Sequence, residues 1–438
     1  MITNSRSDNV NTRNLVVDIL LAVTRDGAFS HIAIRDVLDK YRYLPKQDRA
    51  FITRLSQGTI ERMIELDAII NQFSKTKVKK MKPVIAAILR SGVYQLKYMD
   101  SVPDSAACNE AVKLTVKRGF GGLKGFVNGV MRTIARNMDQ IRYPDAEKEP
   151  VRYLSVKYSI PEWLVQRFTE QYGAEACERS LAAYLMPHPT SVQVDTDRSS
   201  VEEIIASLEQ QGITVRRNEQ VERALFLSGY EALDEIEEFE NGLLYVQDTA
   251  SMLAVELAAP KQGDHVIDVG AAPRGKSVYA ARMIGEQGHV EARDLTEYKV
   301  EMIEENIDRC RLSNMTAKVW DARVFDEAAR EKADVVIADL PCSGLGVIGT
   351  KTDIKYNASE EKIVELAALQ QEILHVVCGY VKPDGTLLYS TCTMAREENE
   401  DNVQKFLETH AGFELEQMRQ YFPYEGCDGF FMAKMHRR

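Results

Sequence analysis

The chain has 438 residues, of which 45% are hydrophobic and 28% charged, as in ordinary globular proteins of two or three domains. No apolar run is long enough to cross a bilayer, and the polar start "MITNSRSDNVNTRN" lacks the pattern of a signal peptide, so we expect a cytoplasmic protein. The seven cysteines are scattered and odd in number, and none has a Cys or His partner at metal-site spacing. This pattern predicts reduced thiols and no metal site.

The net charge of −11 conceals opposite charges on two parts of the chain. Residues 1–140 carry 23 Lys and Arg against 13 Asp and Glu, whereas residues 141–438 carry 32 against 53. A basic block on an acidic protein favours a polyanion as the partner of that block. The alternative is a solvated helical surface that happens to be basic, and charge alone does not separate the two.

Residues 1–142 are predicted to form an all-α domain. In "GLKGFVNGVMRTIARN" apolar residues recur at helical spacing from Leu123 to Ile134, and "KPVIAAILRSGVYQLKYM" places Pro83 where a first helical turn accepts it. Two basic groups are candidate contacts for nucleic-acid phosphates, because Lys and Arg supply most non-specific affinity. They are Lys75, Lys77, Lys79, Lys80 and Lys82 at one junction between helices, and Lys113, Lys117, Arg118 and Lys124 at another.

A polar stretch with two prolines, "YPDAEKEP", is predicted to be a linker. After it, "TSVQVDT" and "ITVRRN" are predicted strands on either side of the helix "SSVEEIIASLEQQG", which begins with a capping serine. The acidic run "YEALDEIEEFENG" follows. These elements predict a small α+β domain over residues 150–242.

Over residues 243–438, strand and helix patterns alternate. The segments "DHVIDVG", "GHVEARD", "TAKVW", "ADVVIADLP" and "GTLLYSTCT" are predicted strands with helices between most of them, and "GFFMAKMHRR" is predicted to be a closing strand. This alternation is typical of a parallel, doubly wound α/β sheet. Ligands of such sheets bind at the carboxyl ends of the strands, so residues at those ends are the candidates for chemistry.

Each predicted strand end carries a residue suited to binding or catalysis. Asp294 ends the second strand, where a carboxylate typically accepts hydrogen bonds from ribose, or it could cap the next helix. Asp321 follows the third strand in "VWDA" and could be a turn residue. Asp339 ends the fourth strand in "ADLPCSG", and Cys392 ends the fifth in "STCT".

The loop after the first of these strands admits two interpretations. It consists of Gly270, Ala271, Ala272, Pro273, Arg274, Gly275 and Lys276. As a run of small residues, its backbone can approach a ligand closely. With Ser277 it also satisfies the phosphate-loop spacing G-x-x-x-x-G-K-[ST], which makes a nucleotide-binding protein one alternative. Against that alternative, no residue is placed to position an attacking water.

Three motifs in this order, "AAP" followed by "GKS", "ADLPCSG" and "STCT", resemble the RNA cytosine-5 methyltransferases of the RsmB (Fmu/Sun) family, in the RsmB/NOP/NSUN superfamily. "VQDTAS" and the terminal "FFMAK" also match that family, and the resemblance covers essentially the whole chain. It implies a NusB-like RNA-binding domain, a small RRM-like α+β domain, and a Rossmann-like class I methyltransferase domain. The implied cofactor is S-adenosyl-L-methionine (SAM).

The resemblance implies methylation of C5 of a cytosine in 16S rRNA, at position 967, through a covalent bond from Cys392 to C6. A thiolate suits this step because cytosine C5 is a poor nucleophile until C6 carries an addend. Asp339 is implied to stabilise the adduct near N3 and Cys342 to help release the product. The glycine loop, Asp294 and Asp339 are implied to bind SAM, with Asp321 as a contact on its adenine side. Alternatively, Cys342 is the nucleophile, or Cys392 is a buried structural cysteine.

The target base must leave its stack to reach such a pocket. The implied partner is therefore single-stranded or looped 16S rRNA before subunit assembly, bound by a monomeric protein without metal or membrane. An rRNA-binding assembly factor whose methyl transfer has faded is the non-enzyme alternative.

Three positions depart from the family pattern, which usually reads C-A-A-P-G-G-K-[ST] in the cofactor loop. Gly270 replaces the cysteine, Arg274 replaces a glycine, and Thr352 stands where a proline is usual. If the backbone at Arg274 needs a positive φ, the side chain costs of order 1 kcal/mol, so weaker SAM binding is expected. Lys276 could hold the carboxylate end of the cofactor or anchor the loop to Asp339.

Overall fold

The computed structural model describes residues 10–272 and 275–438, which form two compact units. The first unit runs to Leu185 and includes the later segment Thr350–Asn357, and the second comprises Met186–Gly349 and Ala358–Arg438. Each unit has its own hydrophobic core. Among the described residues, no helix has the length and apolar character needed to cross a membrane.

The first unit is helical, as predicted for its N-terminal part. Its helices are α1 (Thr12–Thr24), α2 (Ser30–Lys40), α3 (Lys46–Glu61), α4 (Met63–Phe73), α5 (Pro83–Tyr98), α6 (Asp104–Lys117), α7 (Lys124–Arg136), α8 (Pro150–Tyr158), α9 (Glu162–Tyr172) and α10 (Ala174–Ala183). Helix α5 begins at Pro83, where a missing N–H leaves no hydrogen bond unmade. Helix α7 buries Val127, Met131 and Ile134 along one stripe, whereas Leu123 precedes the helix and is exposed.

Residues 150–185 group with the helical unit, although the sequence placed them in the middle domain. The left-handed backbone at Ser159 ends α8, with a φ of 55°. The Ser159 hydroxyl oxygen accepts a hydrogen bond from the Ile64 N–H of α4 at 2.9 Å, which joins the two helices. The strand pattern of the small domain starts only at Thr190. The three predicted domain boundaries stay a prediction.

The second unit begins with a small antiparallel sheet. Its elements are β1 (Thr190–Val194), α11 (Val201–Gln210), β2 (Thr214–Arg217), β3 (Ala224–Ser228), α12 (Glu237–Glu240) and β4 (Leu244–Val246), and its strand order is β2-β3-β1-β4. Ser200 and Glu203 cap α11 reciprocally, each side chain bonding the other residue's N–H. The sequence predicted β1, α11 and β2 but missed β3 and β4, because short apolar runs show no alternation.

The rest of the chain supplies a second, larger sheet. In order come α13 (Thr249–Ala258), β5 (His265–Asp268), α14 (Lys276–Ile284), β6 (His289–Asp294), α15 (Glu297–Cys310), β7 (Met315–Val319), β8 (Ala333–Asp339), α16 (Ile354–Asn357), α17 (Glu360–Val377), β9 (Val381–Thr391), α18 (Glu400–Thr409), β10 (Phe413–Tyr421) and β11 (Phe430–Arg437). The strand order is β10-β11-β9-β8-β5-β6-β7. Strands β9, β8, β5, β6 and β7 are parallel, whereas β11 is antiparallel to both of its neighbours. The sheet is therefore mixed rather than wholly parallel.

The segment Thr350–Asn357, which includes α16, is part of the helical unit. Asp353 accepts a hydrogen bond from the Ser30 hydroxyl, and Lys355 Nζ donates one to the Glu61 carbonyl oxygen at 2.7 Å. Burial lowers the pKa of Lys355 to about 7, because the charged ammonium loses its hydration. An ionisable side chain held this deeply fixes the segment in the helical core.

Candidate active site

The carboxyl ends of the parallel strands lie along one edge of the large sheet. Strands β9, β8, β5 and β6 are consecutive neighbours, and their ends carry Cys392, Asp339, Asp268 and Asp294. The register pairs Asp339 with Ser390, so the end of β8 lies beside the end of β9. The structure thus brings Asp294, Asp339 and Cys392 to a common edge, where the sequence placed them.

Two cysteines meet beside the ends of β8 and β9. The Sγ atoms of Cys342 and Cys392 are 3.3 Å apart. Cys392 directly follows β9 and is buried, with 5% of its surface exposed, whereas Cys342 lies in the loop after β8 and is partly exposed. Two sulfurs at this distance can act on the same small ring, one as nucleophile and the other in proton transfer.

Asp339 is held by a buried lysine from the glycine loop. Lys276 Nζ lies 2.8 Å from Asp339 Oδ2, and both side chains are at most 2% exposed. The Ser390 hydroxyl donates a hydrogen bond to Asp339 Oδ1 at 3.0 Å, and the Lys276 ammonium lies 4.9 Å from the centroid of the Phe430 ring. Of the two roles that the sequence left open for Lys276, the structure shows the anchor to Asp339.

The loop before α14 requires glycine at both ends. A Cβ added to Gly270 would lie 2.5 Å from the Asp339 carbonyl oxygen, so a side chain there would push against backbone. Gly275 has a φ of 74°, and its added Cβ would lie 2.4 Å from the Tyr245 ring. Pro273 and Arg274, predicted to bind the cofactor, lie outside the described residues.

Asp294 does not cap the helix that follows it. Thr296 caps α15 by accepting the Lys299 N–H, so the capping alternative for Asp294 is wrong. Asp294 Oδ2 accepts the Ala272 N–H at 3.1 Å, and Oδ1 accepts the Leu295 N–H and the Lys299 ammonium. Each carboxylate oxygen can accept more than one hydrogen bond, so Oδ2 retains capacity for a hydroxyl of a bound ribose.

Asp268 is a buried carboxylate that the sequence analysis did not single out. It ends β5, accepts the Ser277 hydroxyl at 2.6 Å, and accepts the Gly270 N–H at 3.2 Å. Burial raises the pKa of Asp268 to about 6, because the ionised form loses water. Its hydrogen bonds tie both ends of the glycine loop to the strand. The available signal was its place at the end of "VID", directly before the loop.

A second buried carboxylate that the sequence analysis did not single out lies next to the cysteine segments. Glu398, in the helical turn Arg396–Glu398 after β9, is fully buried and bonds to Ser343, the residue that follows Cys342. The sequence pattern predicts a helix over "REENEDNVQKFLETH". Helical periodicity gave no reason to bring one of its acids to the cysteines.

Three family models match the chain. The model of the 16S rRNA methyltransferase RsmB/F matches residues 255–436, that of the NusB family matches 10–136, and that of the ferredoxin-like domain of RsmF/B-like methyltransferases matches 160–233. The probable ribosomal RNA small subunit methyltransferase B of Bacillus subtilis (strain 168) is 35% identical, with 97% of this chain and 98% of that protein aligned. The chain belongs to the RsmB family of ribosomal RNA small subunit methyltransferases.

Other relatives agree with this RsmB assignment. The ribosomal RNA small subunit methyltransferase B of Proteus mirabilis (strain HI4320) is 31% identical, over 90% of this chain and 91% of its own. The crystal structure of PH0851 gives a TM-score of 0.81 at 26% identity and covers 98% of this chain and 99% of that one. A methyltransferase homolog protein from Pyrococcus horikoshii gives 0.59 at 25% identity, covering 66% and 99%. The predicted family, fold class and enzyme class, a methyltransferase that uses SAM, are confirmed.

The residues at the strand ends of this RsmB-family chain fit SAM, the cofactor of this class of methyltransferase. The two glycine positions and the buried Ala271 and Ala272 leave only backbone and small side chains in the loop residues that the structure describes. Asp294 stands at the end of the neighbouring strand with acceptor capacity. These residues would hold SAM, whose positively charged sulfur carries a transferable methyl group.

The predicted RNA contacts of this RsmB-family chain lie on the helical unit. The exposed ones are Lys75, Lys77, Lys79, Lys80 and Lys82, around the turn between α4 and α5, and Lys113, Lys117 and Lys124, in α6 and at the start of α7. Arg118 differs from them, because its guanidinium contacts Asp18 at 2.7 Å and the Asn14 carbonyl oxygen at 2.6 Å. It joins α6 to α1, a role that the charge pattern did not indicate.

Asp321 is a turn residue in this structure. Its Oδ1 accepts the Arg323 N–H at 2.9 Å, and the Arg323 guanidinium contacts its Oδ2 at 2.7 Å. The bonds from Arg323 lower the pKa of Asp321. Its contact with the adenine of the cofactor stays a prediction. Across residues 10–272 and 275–438, no three His, Cys, Asp or Glu side chains group in a way that could hold a metal ion.

Proposed function

We propose that the chain transfers the SAM methyl group to C5 of a cytosine in 16S rRNA, the cytosine at position 967, by way of a covalent bond between Cys392 and C6. The supporting observation is the 3.3 Å approach of the Cys342 and Cys392 sulfurs at the strand ends beside Asp339. A single nucleophilic cysteine would not need a second thiol at contact distance. Such a pair suits a reaction in which one sulfur must first bond to the ring and later leave it.

Cys392 begins the reaction as a thiolate that adds to C6 of the cytosine. The electron pair of the C5–C6 double bond shifts through C4 toward N3, which takes up a proton from solvent, so C5 becomes the nucleophilic carbon of an enamine. Bound SAM supplies the electrophile that this carbon needs. Cys392 suits the role because a thiolate is both a good nucleophile and a good leaving group.

Asp339 is placed to recognise the ring while C6 carries the sulfur. Asp339 Oδ2 lies 2.8 Å from the Lys276 ammonium, and a carboxylate oxygen can accept a hydrogen bond only from an N–H or O–H group. The protonated N3 of the adduct is such a group. Asp339 therefore stabilises the adduct more than free cytosine, which is the condition for lowering a barrier.

Cys342 completes the cycle by taking the proton that C5 still carries after methylation. Its thiolate accepts the proton, the C5–C6 double bond re-forms, Cys392 leaves as a thiolate, and N3 returns its proton to solvent. This order assigns the buried sulfur to the covalent bond and the more exposed one to proton exchange with water. The reverse assignment, in which Cys342 is the nucleophile, makes an opposite prediction for the two serine variants.

Serine variants and a trapping RNA test the proposal. With 16S rRNA fragments containing 5-fluorocytidine, the natural chain should form a covalent complex, since fluorine blocks the loss of a proton from C5. Cys392→Ser should form none, and Cys342→Ser should accumulate a complex even on unmodified RNA. A complex that persists in Cys392→Ser and vanishes in Cys342→Ser would assign the nucleophile to Cys342.

A methyl-transfer assay on naked 16S rRNA separates the enzyme from an rRNA-binding assembly factor. Incorporation of labelled methyl at the proposed cytosine is expected, and stable binding without incorporation would favour the assembly factor. The nucleotide-binding alternative has less support, because Lys276 is buried in an ion pair rather than turned toward a phosphate.

The RNA surface proposed for this function is the set of exposed lysines on the helical unit. Replacing Lys79 and Lys80 by glutamine should weaken RNA binding on all sequences and flatten its salt dependence. The proposed substrate is looped or single-stranded rRNA before assembly, bound by one copy of the chain. An unassembled rRNA substrate also favours the cytoplasm as the place where the chain acts.

A further inference from the structure

Glu398 is a fully buried carboxylate for which the reaction above has no use. It ends the helical turn between β9 and α18 and lies six residues after Cys392. A buried carboxylate is costly unless its oxygens are hydrogen-bonded, so its partners show what holds it there.

Glu398 bonds to the residue that follows each cysteine, directly or through one hydroxyl. Its Oε1 accepts the Ser343 N–H at 2.8 Å, and its Oε2 accepts the Ser343 hydroxyl. The Ser343 hydroxyl also lies 2.7 Å from the Thr393 hydroxyl. Ser343 follows Cys342 and Thr393 follows Cys392, so one carboxylate links the two cysteine segments.

Gln370 of α17 closes the network on the other side. Its amide nitrogen donates to Glu398 Oε1 at 3.1 Å and to the Pro341 carbonyl oxygen at 2.8 Å. Its amide oxygen accepts from the Tyr389 hydroxyl at 3.0 Å and from the Asn402 amide at 2.8 Å. The segment from Pro341 to Ser343, which contains Cys342, is therefore fixed on both sides.

The chemistry of the partners selects a carboxylate at this position. All of them donate: a backbone N–H, a hydroxyl and an amide N–H. A glutamine at 398 would offer one acceptor oxygen and turn its own N–H groups toward these donors. Burial raises the pKa of Glu398 to about 7, while the bonds from Ser343 oppose that rise. Buried acids with raised pKa values are concentrated at functional sites.

We propose that Glu398 is a positioning residue that sets the approach of the Cys342 sulfur to the Cys392 sulfur by anchoring Ser343 and, through it, Thr393. The inference rests on the proposed function, in which Cys342 must reach the proton on C5 while Cys392 is bonded to C6. Loosening the anchor leaves Cys392 on its strand end but frees the loop that carries Cys342. Release should then slow more than the first addition.

The test measures adduct and turnover together on unmodified 16S rRNA. Glu398→Gln should lower kcat about tenfold or more, as expected for a lost charge-assisted hydrogen bond, and should lower KM with it because release slows while the first addition does not. It should also accumulate the covalent complex, as Cys342→Ser does. Ser343→Ala, a milder change that removes only the shared hydroxyl, should do the same to a smaller degree. Glu397→Gln, one residue earlier and partly exposed, is the matched control and should leave turnover and adduct unchanged.

The outcomes distinguish this inference from the function on which it rests. If Cys342→Ser accumulates no complex, the proposed cycle fails. If Cys342→Ser accumulates complex while Glu398→Gln and Ser343→Ala lose adduct and turnover in parallel, Glu398 only maintains the fold and the inference is overturned. Thermal unfolding of every variant is recorded. If Glu398→Gln does not fold, Ser343→Ala alone decides between accumulation of the covalent complex and parallel loss of adduct and turnover.

Discussion

Removing the charge of Asp339 should destabilise the second unit strongly, even though the side chain lies at a functional edge. Asp339→Asn leaves the Lys276 ammonium buried without its counter-ion, since both side chains are at most 2% exposed. Breaking a buried ion pair from one side typically costs about 3–5 kcal/mol. For a unit of this size the melting temperature falls by about 2–4 °C for each kcal/mol, so we expect a drop of about 6–20 °C.

Thermal and urea unfolding monitored by circular dichroism measure this effect. The control is Glu327→Gln, which removes the partner of an exposed ion pair with Arg330 and should scarcely change the melting temperature. The double variant Lys276→Met with Asp339→Asn should be more stable than Asp339→Asn alone, because no unpaired charge remains. The reasoning fails if Asp339→Asn unfolds at the temperature of Glu327→Gln, or if the double variant shows no recovery.

Three further outcomes are expected. If residue 274 needs a positive φ, Arg274→Gly should bind SAM about fivefold more tightly in a calorimetric titration, the equivalent of ~1 kcal/mol, and equal affinities would remove this expectation. Hydrogen peroxide should join Cys342 to Cys392 in a disulfide, since their sulfurs are 3.3 Å apart. Methyl transfer should then fall, and dithiothreitol should restore it. The intact mass should decrease by two hydrogens, and this decrease should be absent in Cys342→Ser. Lys355 has a folded-state pKa of about 7 against 10.5 for an ordinary lysine. Between these two pKa values the unfolded chain binds one proton more than the folded chain, so the free energy of unfolding should rise with pH across that window. The rise should be smaller in Lys355→Met.

The strand ends of the large sheet were predictable from the sequence because they combine two local signals. Each is an apolar run of strand length, and each stops at a polar or small residue. The neighbours of Asp339 and Cys392 follow from the α/β alternation, which orders parallel strands in space. By contrast, β10 has mostly partly or fully exposed residues and β4 has three residues, so neither carries a pattern strong enough to detect.

The partners of buried polar groups were not predictable for a different reason. Lys276 could have faced a ligand or Asp339, and only the placement of α14 against the end of β8 decides for Asp339. Glu398 reads as one acid among several in "REENED", and only the turn after β9 brings it to Ser343. Both choices depend on contacts between residues more than 50 positions apart, which no local period encodes.

One departure from the family pattern, Gly270, has a physical reason in the structure. The start of the cofactor loop touches the backbone of Asp339, where Gly270 leaves room for the carbonyl oxygen, and the end of the loop holds the Asp339 side chain through Lys276. The loop and the proposed ring-binding carboxylate are thus fixed to each other at two points. Because Arg274 lies between those points in the sequence, a strained backbone there would act on the position of Asp339 as well as on SAM. If a change at residue 274 altered only cofactor affinity and left the rate of adduct formation untouched, residue 274 would not act on the position of Asp339.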